Sequence, residues 1–385
     1  LNLRNQYRVP LWMGESGENS NTWFYDCVQL LEDHNIGWCW WTHKKIATTT
    51  SPYSAPITGG YQQILDYWNG KAPRPSADFA RSALLDEAEH LKLKYCEFRP
   101  DVLDALFRKD FGSVAKPYAG HSLPGLLPAA EYDMGRNGVG SLDADYQVTH
   151  GLGSESWNRG GEFRNDGVDI EKSRDAAGPK YSVGWIESGE WLQYSVQIAV
   201  SGTYRVEARV ASESGGGQFS LALDGQQLTQ PVRVPRTGGW YTWQTFEVGS
   251  VPLPAGEHVL KIDVQTGGFN LNGLQFVLES SSVRDWHGLE RVDGGVWFGQ
   301  NFPNPFNLST EIPVLVNRQG DLHLDIFDSR GRLLRTLYKG KIQAGYHTFK
   351  WNARDQLGHP VPSGRYAYLL RYGGHRKAKW MLMVK

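Results

Sequence analysis

The chain has 385 residues, a formal net charge of -1 and 12% aromatic residues. That balance leaves no basic face for a nucleic-acid partner, and no run of 18 apolar residues offers a membrane-spanning helix. The length allows two or three domains, and 15 Trp, 18 Tyr and 44 Gly favour a β-rich extracellular architecture over a helical one. Cys27, Cys39 and Cys96 form an odd set confined to the first hundred residues, which is not a disulfide framework. Buried free thiols are expected, with a Cys27–Cys39 pair as the alternative. No signal peptide is visible, and Leu1 rather than Met opens the sequence, so the natural N-terminus is expected upstream.

The first predicted element is the apolar run VPLWMGESGENS at 9–20, a strand that stops at Gly14-Glu15. Residues 22–34 place Trp23, Cys27, Leu30 and Leu31 at helical spacing, with Asn21 as the N-cap. IGWCWWTHKK at 36–45 is a second short strand, ending in Trp41. Strand, helix and strand in this order predict an α/β unit with parallel strands. A carboxylate and an indole then sit at the strand ends, where barrel enzymes place their chemistry. After a polar loop at 42–60, YQQILDYW predicts a helix closed by Gly70. A second helix over 76–94 has Ser76 as cap and Leu84, Leu85, Ala88 and Leu91 on one side. Pro100 opens a third, as Pro does at a first helical position.

From about residue 124 the period changes. In GTYRVEARV, Tyr204, Val206, Ala208 and Val210 alternate with Arg205, Glu207 and Arg209. FSLALDG and HVLKIDV repeat the pattern, which predicts a β-sandwich with Gly-rich turns. The Ser run at 280–282 and the turn-rich NFPNPFN at 301–307 set off a third segment, with Asp328-Ser329-Arg330-Gly331 as a hairpin turn. The expected fold is multidomain and mainly β: an incomplete (β/α)8 barrel remnant over 1–120, a jelly-roll β-sandwich over 124–280 and a small Ig-like sandwich over 283–385.

The apolar–Gly-Glu-x-Gly strand and the following strand ending in Trp resemble the C-terminal end of glycoside hydrolase family 5. The resemblance implies retaining cleavage of a polysaccharide without a cofactor, by two carboxylates roughly 5 Å apart. It carries the nucleophile to Glu15 and the sugar platform to Trp41, with Glu18 as the rival carboxylate. His43, Lys44 and Lys45 follow the platform, either reaching sugar hydroxyls or standing as solvated loop charges. The family's acid/base belongs to an Asn-Glu pair, and this sequence contains no Asn-Glu. A barrel needs about 200 residues or more, so the segment is expected to be the tail of an enzyme and inactive alone.

LPGLLPAAEYDMGRNGVGSLDADY, GGEFRNDGVDIE, YSVGWIESGEWLQYSV, VPRTGGWYTWQTF, LPAGEHVLKI and GGFNLNGLQF, in this order, resemble family 6 carbohydrate-binding modules. The resemblance implies two aromatic rings clamping a sugar, here Tyr181 and Trp240, with Asn270 and Glu171 bonding its hydroxyls. Flat rings pack against the CH-rich faces of a pyranose, and a few placed polar groups fix the hydroxyl pattern. Trp240 follows a Thr-Gly-Gly turn and is expected to be exposed, whereas Trp185, Trp191 and Trp243 lie in strand patterns and are assigned to the core or its flank. For Asn270 the alternative is a turn residue supporting its own backbone. Family members often hold a structural calcium. Glu131 fits one ligand position, while Ala129 stands where another side-chain ligand is common; carbonyls and water also serve such shells. Ser141 stands where an aromatic is often found.

QNFPNPFNLSTEIPVLV, DLHLDIFDSRGRLLRTLYKG, the SGRYAY strand and the final WMLMVK resemble the C-terminal sorting domains of type IX secretion cargo and the Ig-like module of flagellar hook-capping proteins. The resemblance implies export across a bacterial outer membrane, to the medium or the cell surface, with secretion machinery as partner. Arg376, Lys377, Lys379 and Lys385 are either its recognition face or an edge that blocks strand pairing. His347, His359 and His375 are scattered and form no catalytic group. The expected ligand is a polysaccharide: β-glucan by analogy with the barrel tail, with xylan left open. The alternative is a non-catalytic carbohydrate-binding surface protein.

Overall fold

A computed structural model describes residues 1–146, 157–281, 289–292 and 294–384. Strand Trp12–Met13 pairs in parallel with strand Gly37–Trp38, with helix Asn21–Asp33 between them, so the α/β unit forms as its pattern predicts. Ser20, not Asn21, caps the helix, its hydroxyl accepting from the Trp23 amide. The buried stripe is Phe24, Val28 and Leu31, at positions i, i+4 and i+7, packed on Val102, Ala105, Leu106 and Phe111. Trp23 and Leu30 fall outside that stripe and are exposed.

Helices Gly59–Trp68, Ala77–His90 and Pro100–Phe107 follow. Ser76 caps the second of these as predicted, but its buried side is Ala83 and Glu87. Leu84 and Leu85 face solvent. Lys44–Ile46, Tyr53–Ala55 and Glu97–Phe98 form a separate three-stranded sheet. Among the described residues no barrel closes: the parallel pair and the three-stranded sheet stay apart. The three cysteines are unpaired and half-buried rather than fully buried.

The middle of the chain is a sandwich. One sheet runs Gly239–Leu253, Gly202–Ser212, Asn270–Ser281, Tyr181–Val183, Ile170–Lys172 in spatial order, and Gly125–Pro128 also pairs with Asn270–Ser281. The other is built on Gln218–Leu223, Gly256–Thr266 and Trp191–Ile198. Alternation decides the core as predicted: Tyr204, Val206, Ala208 and Val210 meet Phe219, Leu221, Leu260 and Ile262 inside, while Arg205, Glu207 and Arg209 face out.

The C-terminal unit packs two four-stranded antiparallel sheets around Trp351, Phe298, Leu324 and Tyr368. The hairpin at 328–332 is the predicted one: Asp328 Oδ1 accepts from the amides of Arg330 and Arg332, and Gly331 has φ 77°. Trp297 and Leu315 of this unit join the sandwich core. Asn317 bonds the backbone of Leu278 in both directions. The boundary expected at 283 and the terminal Lys385 lie outside the described residues. Lys377 and Lys379 pair with Glu290, and Lys379 is 9% exposed, so neither is a free recognition group. Among the described residues no helix is long and apolar enough to cross a membrane.

Candidate binding cleft

Glu171, Trp185, Trp240, Tyr241 and Asn270 line one cleft of about 310 Å³ at an end of the sandwich. Each is delivered by strand register. Ile170 and Val183 pair across two strands and enter the core, so Glu171, the neighbour of Ile170, points to the opposite face, beside the fully buried Ser182 with which it pairs. Asn270 opens its strand opposite Ala211. Ser212 pairs with Gly239, which brings the next residue, Trp240, to the same end. Trp185 leaves its strand through a left-handed turn, φ 47°, directly after Gly184.

The polar floor is closely bonded. Asn270 Nδ2 donates to Glu171 Oε1 at 3.0 Å and to the Trp240 carbonyl at 3.0 Å. The Tyr241 hydroxyl donates to the other oxygen, Glu171 Oε2, and this bond raises the Tyr241 phenol above its usual range. Both carboxylate oxygens are thus engaged, and the acceptor Oδ1 of Asn270, itself 3% exposed, is left to meet a hydroxyl donor. A Cβ at Gly184 would approach Asn270 Oδ1 to 3.2 Å and Glu171 Oε1 to 3.4 Å, so glycine keeps this floor open. Trp185, Trp240 and Tyr241 are 43%, 43% and 39% exposed. Three rings beside one carboxylate–amide pair make a surface that holds a flat polar ligand by its apolar face.

The structure brings together Glu171, Trp240 and Asn270 of the expected set. It does not bring Tyr181, whose ring stacks on Phe163 at 4.6 Å and lines a different pocket with Lys172 and Arg99. Tyr181 pairs with Lys172, one step out of phase with Glu171, so the pleat turns it away. Trp185, assigned from sequence to the core or its flank, lines the cleft instead. Tyr241 was missed altogether; its signal was the second aromatic of Gly-Gly-Trp-Tyr. Trp191 and Trp243 are half-buried on the sandwich flank, as expected.

The Glu131 carboxylate lies 3.9 Å from the His121 imidazole, burial raises its pKa above the usual carboxylate range, and among the described residues it belongs to no cluster of three metal-ligating side chains. Asp143, Asp145 and Asp169 do come within 4.8 Å of one another, with Arg159 against two of them.

In the N-terminal segment, Glu15 is exposed just past its strand and Trp41 is 55% exposed. The second strand stops at Trp38 rather than Trp41, and the Trp41 amide donates to the Ser16 carbonyl at 2.6 Å, so the segments just past the two strands meet. Glu18 pairs with Lys45, Lys44 donates to the Leu91 carbonyl at 2.5 Å, and His43 packs on Tyr53; these charges serve the local structure.

Residues 162–277 match the carbohydrate binding module (family 6) description, and residues 313–372 match the FlgD Ig-like domain. A segment of 115 residues is 36% identical to the clotting factor G alpha subunit of Tachypleus tridentatus, covering 29% of this chain and 17% of that protein. A stretch of 41 residues is 46% identical to the basal-body rod modification protein FlgD of Salmonella typhimurium, covering 11% and 18% respectively. The chain thus spans less than a fifth of these curated relatives. Among solved structures, the module CBM6cm-2 of Cellvibrio mixtus lichenase 5A, in complex with cellotriose, is 37% identical over 30% of this chain and 88% of that one, with a TM-score of 0.27. The chain therefore carries a carbohydrate binding module of family 6 in its middle and a FlgD-like Ig domain toward its C-terminus.

Proposed function

We propose that this chain binds a polysaccharide through the cleft, as the targeting part of a secreted polysaccharide-degrading glycoside hydrolase acting on β-glucan. A pyranose ring lies against Trp240 and Trp185, and Asn270 Oδ1 accepts from a ring hydroxyl. Glu171 holds Asn270 and Tyr241 in place. The observation that carries this is the convergence of three exposed rings on one hydrogen-bonded Asn–Glu pair. Affinity electrophoresis of the chain through β-glucan, xylan and mannan gels tests it. Retardation in β-glucan is expected and is lost in Trp240→Ala. Equal mobility in all three gels, or retardation that survives Trp240→Ala, overturns it.

Glu15 stands at the nucleophile position and Trp41 at the platform position of the hydrolase. The support is that parallel pairing brings both to one end of the α/β unit. Without the Asn-Glu pair that would supply the acid/base carboxylate, which this sequence lacks, the chain alone releases no sugar. Reducing ends produced from β-glucan, and abolished by Glu15→Ala, would contradict this. The C-terminal unit directs export, and its deletion is expected to keep the protein inside its bacterial host. The same missing carboxylate favours, as a second reading, a non-catalytic surface protein that uses the identical cleft.

A further inference from the structure

Most cations of the sandwich are spent. Arg159, Arg164, Arg205, Arg209 and Lys261 each hold a carboxylate. Arg174 does not. Among the described residues it has no carboxylate within ion-pair distance and makes no side-chain hydrogen bond, although Asp175 is its chain neighbour. Asp175 is taken by Arg209, through two bonds of 2.7 and 2.8 Å. Arg174 instead holds its guanidinium 4.1 Å over the ring of Tyr241, a wall of the cleft. Its backbone is left-handed, φ 54°, a conformation that non-glycine residues adopt rarely.

An arginine stacked on an aromatic face keeps its N–H fork in the plane of the guanidinium, pointing away from the ring. The exposed Arg174 thus carries an uncommitted guanidinium beside Tyr241 of the cleft, and such a fork suits two oxygens of one anionic group. Arg233 and Arg236, on the segment running to Trp240, are exposed and also have no carboxylate within ion-pair distance among the described residues. Arg236 donates only to the Glu213 carbonyl. Against them stand Glu171, whose two oxygens are already engaged, and the exposed Glu213.

We propose that the cleft selects glycans bearing an oxyanion, with Arg174 binding a carboxylate or sulfate on the sugar next to the clamped ring. The proposal rests on the cleft being the glycan site. The test is calorimetry of the full chain with three polymers of one β-glucan backbone: hydroxyethyl, carboxymethyl and sulfated. At 50 mM salt the anionic polymers are expected to bind roughly threefold or more tighter than the neutral one, as for an exposed charge pair, and the ratio shrinks at 500 mM salt. The stronger of the two anionic arms names the substituent. Arg174→Gln brings the ratio to about one, and Arg174→Lys retains only part of it. Equal affinity of the native chain for neutral and anionic polymers overturns the proposal and leaves the cleft assignment standing, as does a ratio untouched in Arg174→Gln. Failure to bind any of the three overturns both.

Discussion

At the residue scale, the pleat decides function. Tyr181 and Trp185 are four positions apart, yet only Trp185 reaches the cleft, because Tyr181 is out of phase with Glu171 and the chain turns left-handed after Gly184. Trp185→Ala should lower polysaccharide affinity at least tenfold, the scale of a lost aromatic anchor, while Tyr181→Ala leaves it unchanged; titration calorimetry of both variants distinguishes them. Gly184→Ala presses a methyl on the Asn270–Glu171 pair and should weaken binding severalfold with little change in melting temperature. Tyr241→Phe removes one of the two bonds that fix the Glu171 carboxylate, and a severalfold loss of affinity is expected from a charge-assisted bond at a half-exposed site.

At the scale of elements, strand Asn270–Ser281 does two jobs. Its first residue floors the cleft and Leu278, near its far end, receives Asn317 of the C-terminal unit. Phe276, fully buried between them, should cost about 3–5 kcal/mol when cut to Ala, seen as a lower denaturant midpoint. The turns around Asp143, Asp169 and Glu190 carry a different signature. Burial first, then neighbouring carboxylates, push Asp143 up to about 9, while Asp169 and Glu190, raised mainly by burial, go to about 7. Folded values above the unfolded range near 4 mean that these groups favour the native state at low pH, and that the contribution is lost as pH rises through 7 to 9. The sandwich should therefore melt higher at pH 6 than at pH 9. Asp143→Asn should flatten that slope and raise the melting temperature at pH 9; a pH profile indifferent to this substitution would count against the carboxylate repulsion.

At the scale of the whole molecule, the N-terminal segment is locked to the sandwich by buried polar groups more than by apolar ones. The Asn165 amide N–H donates to Asp101 Oδ2 at 2.9 Å, its side chain donates to Asn21 Oδ1 and to the Asn19 carbonyl, and Ser20 bonds the Tyr146 hydroxyl at 2.6 Å. Cutting Asn165 to Ala removes the donor to the buried Asn21 Oδ1 and to the half-buried Asn19 carbonyl, and the acceptor of the Trp157 indole N–H; the buried Asn21 acceptor left unpaired costs about 1–3 kcal/mol. Limited proteolysis should then release residues 1–110 earlier than in the native chain, while the sandwich core persists.

Alternation of apolar and charged residues over 202–210 and 260–264 was enough to foretell the sandwich and its core, since burial in a strand follows a two-residue period. The parallel strand pair with Glu15 and Trp41 just past its ends was equally legible, because helical and strand periods differ. Turn chemistry placed Trp240 outside the core. Local pattern could not tell which helical stripe would be covered: Leu84 and Leu85 have the right spacing, but nothing packs on them. Nor could it assign Trp185 and Tyr241 to one cleft, or set Arg174 against the Tyr241 ring, because these meetings depend on two left-handed residues and on segments about seventy residues apart. Periodicity specifies which face of a strand is buried, because side chains alternate across it; only the closed tertiary structure specifies which helical stripe is covered and which distant loops share an end.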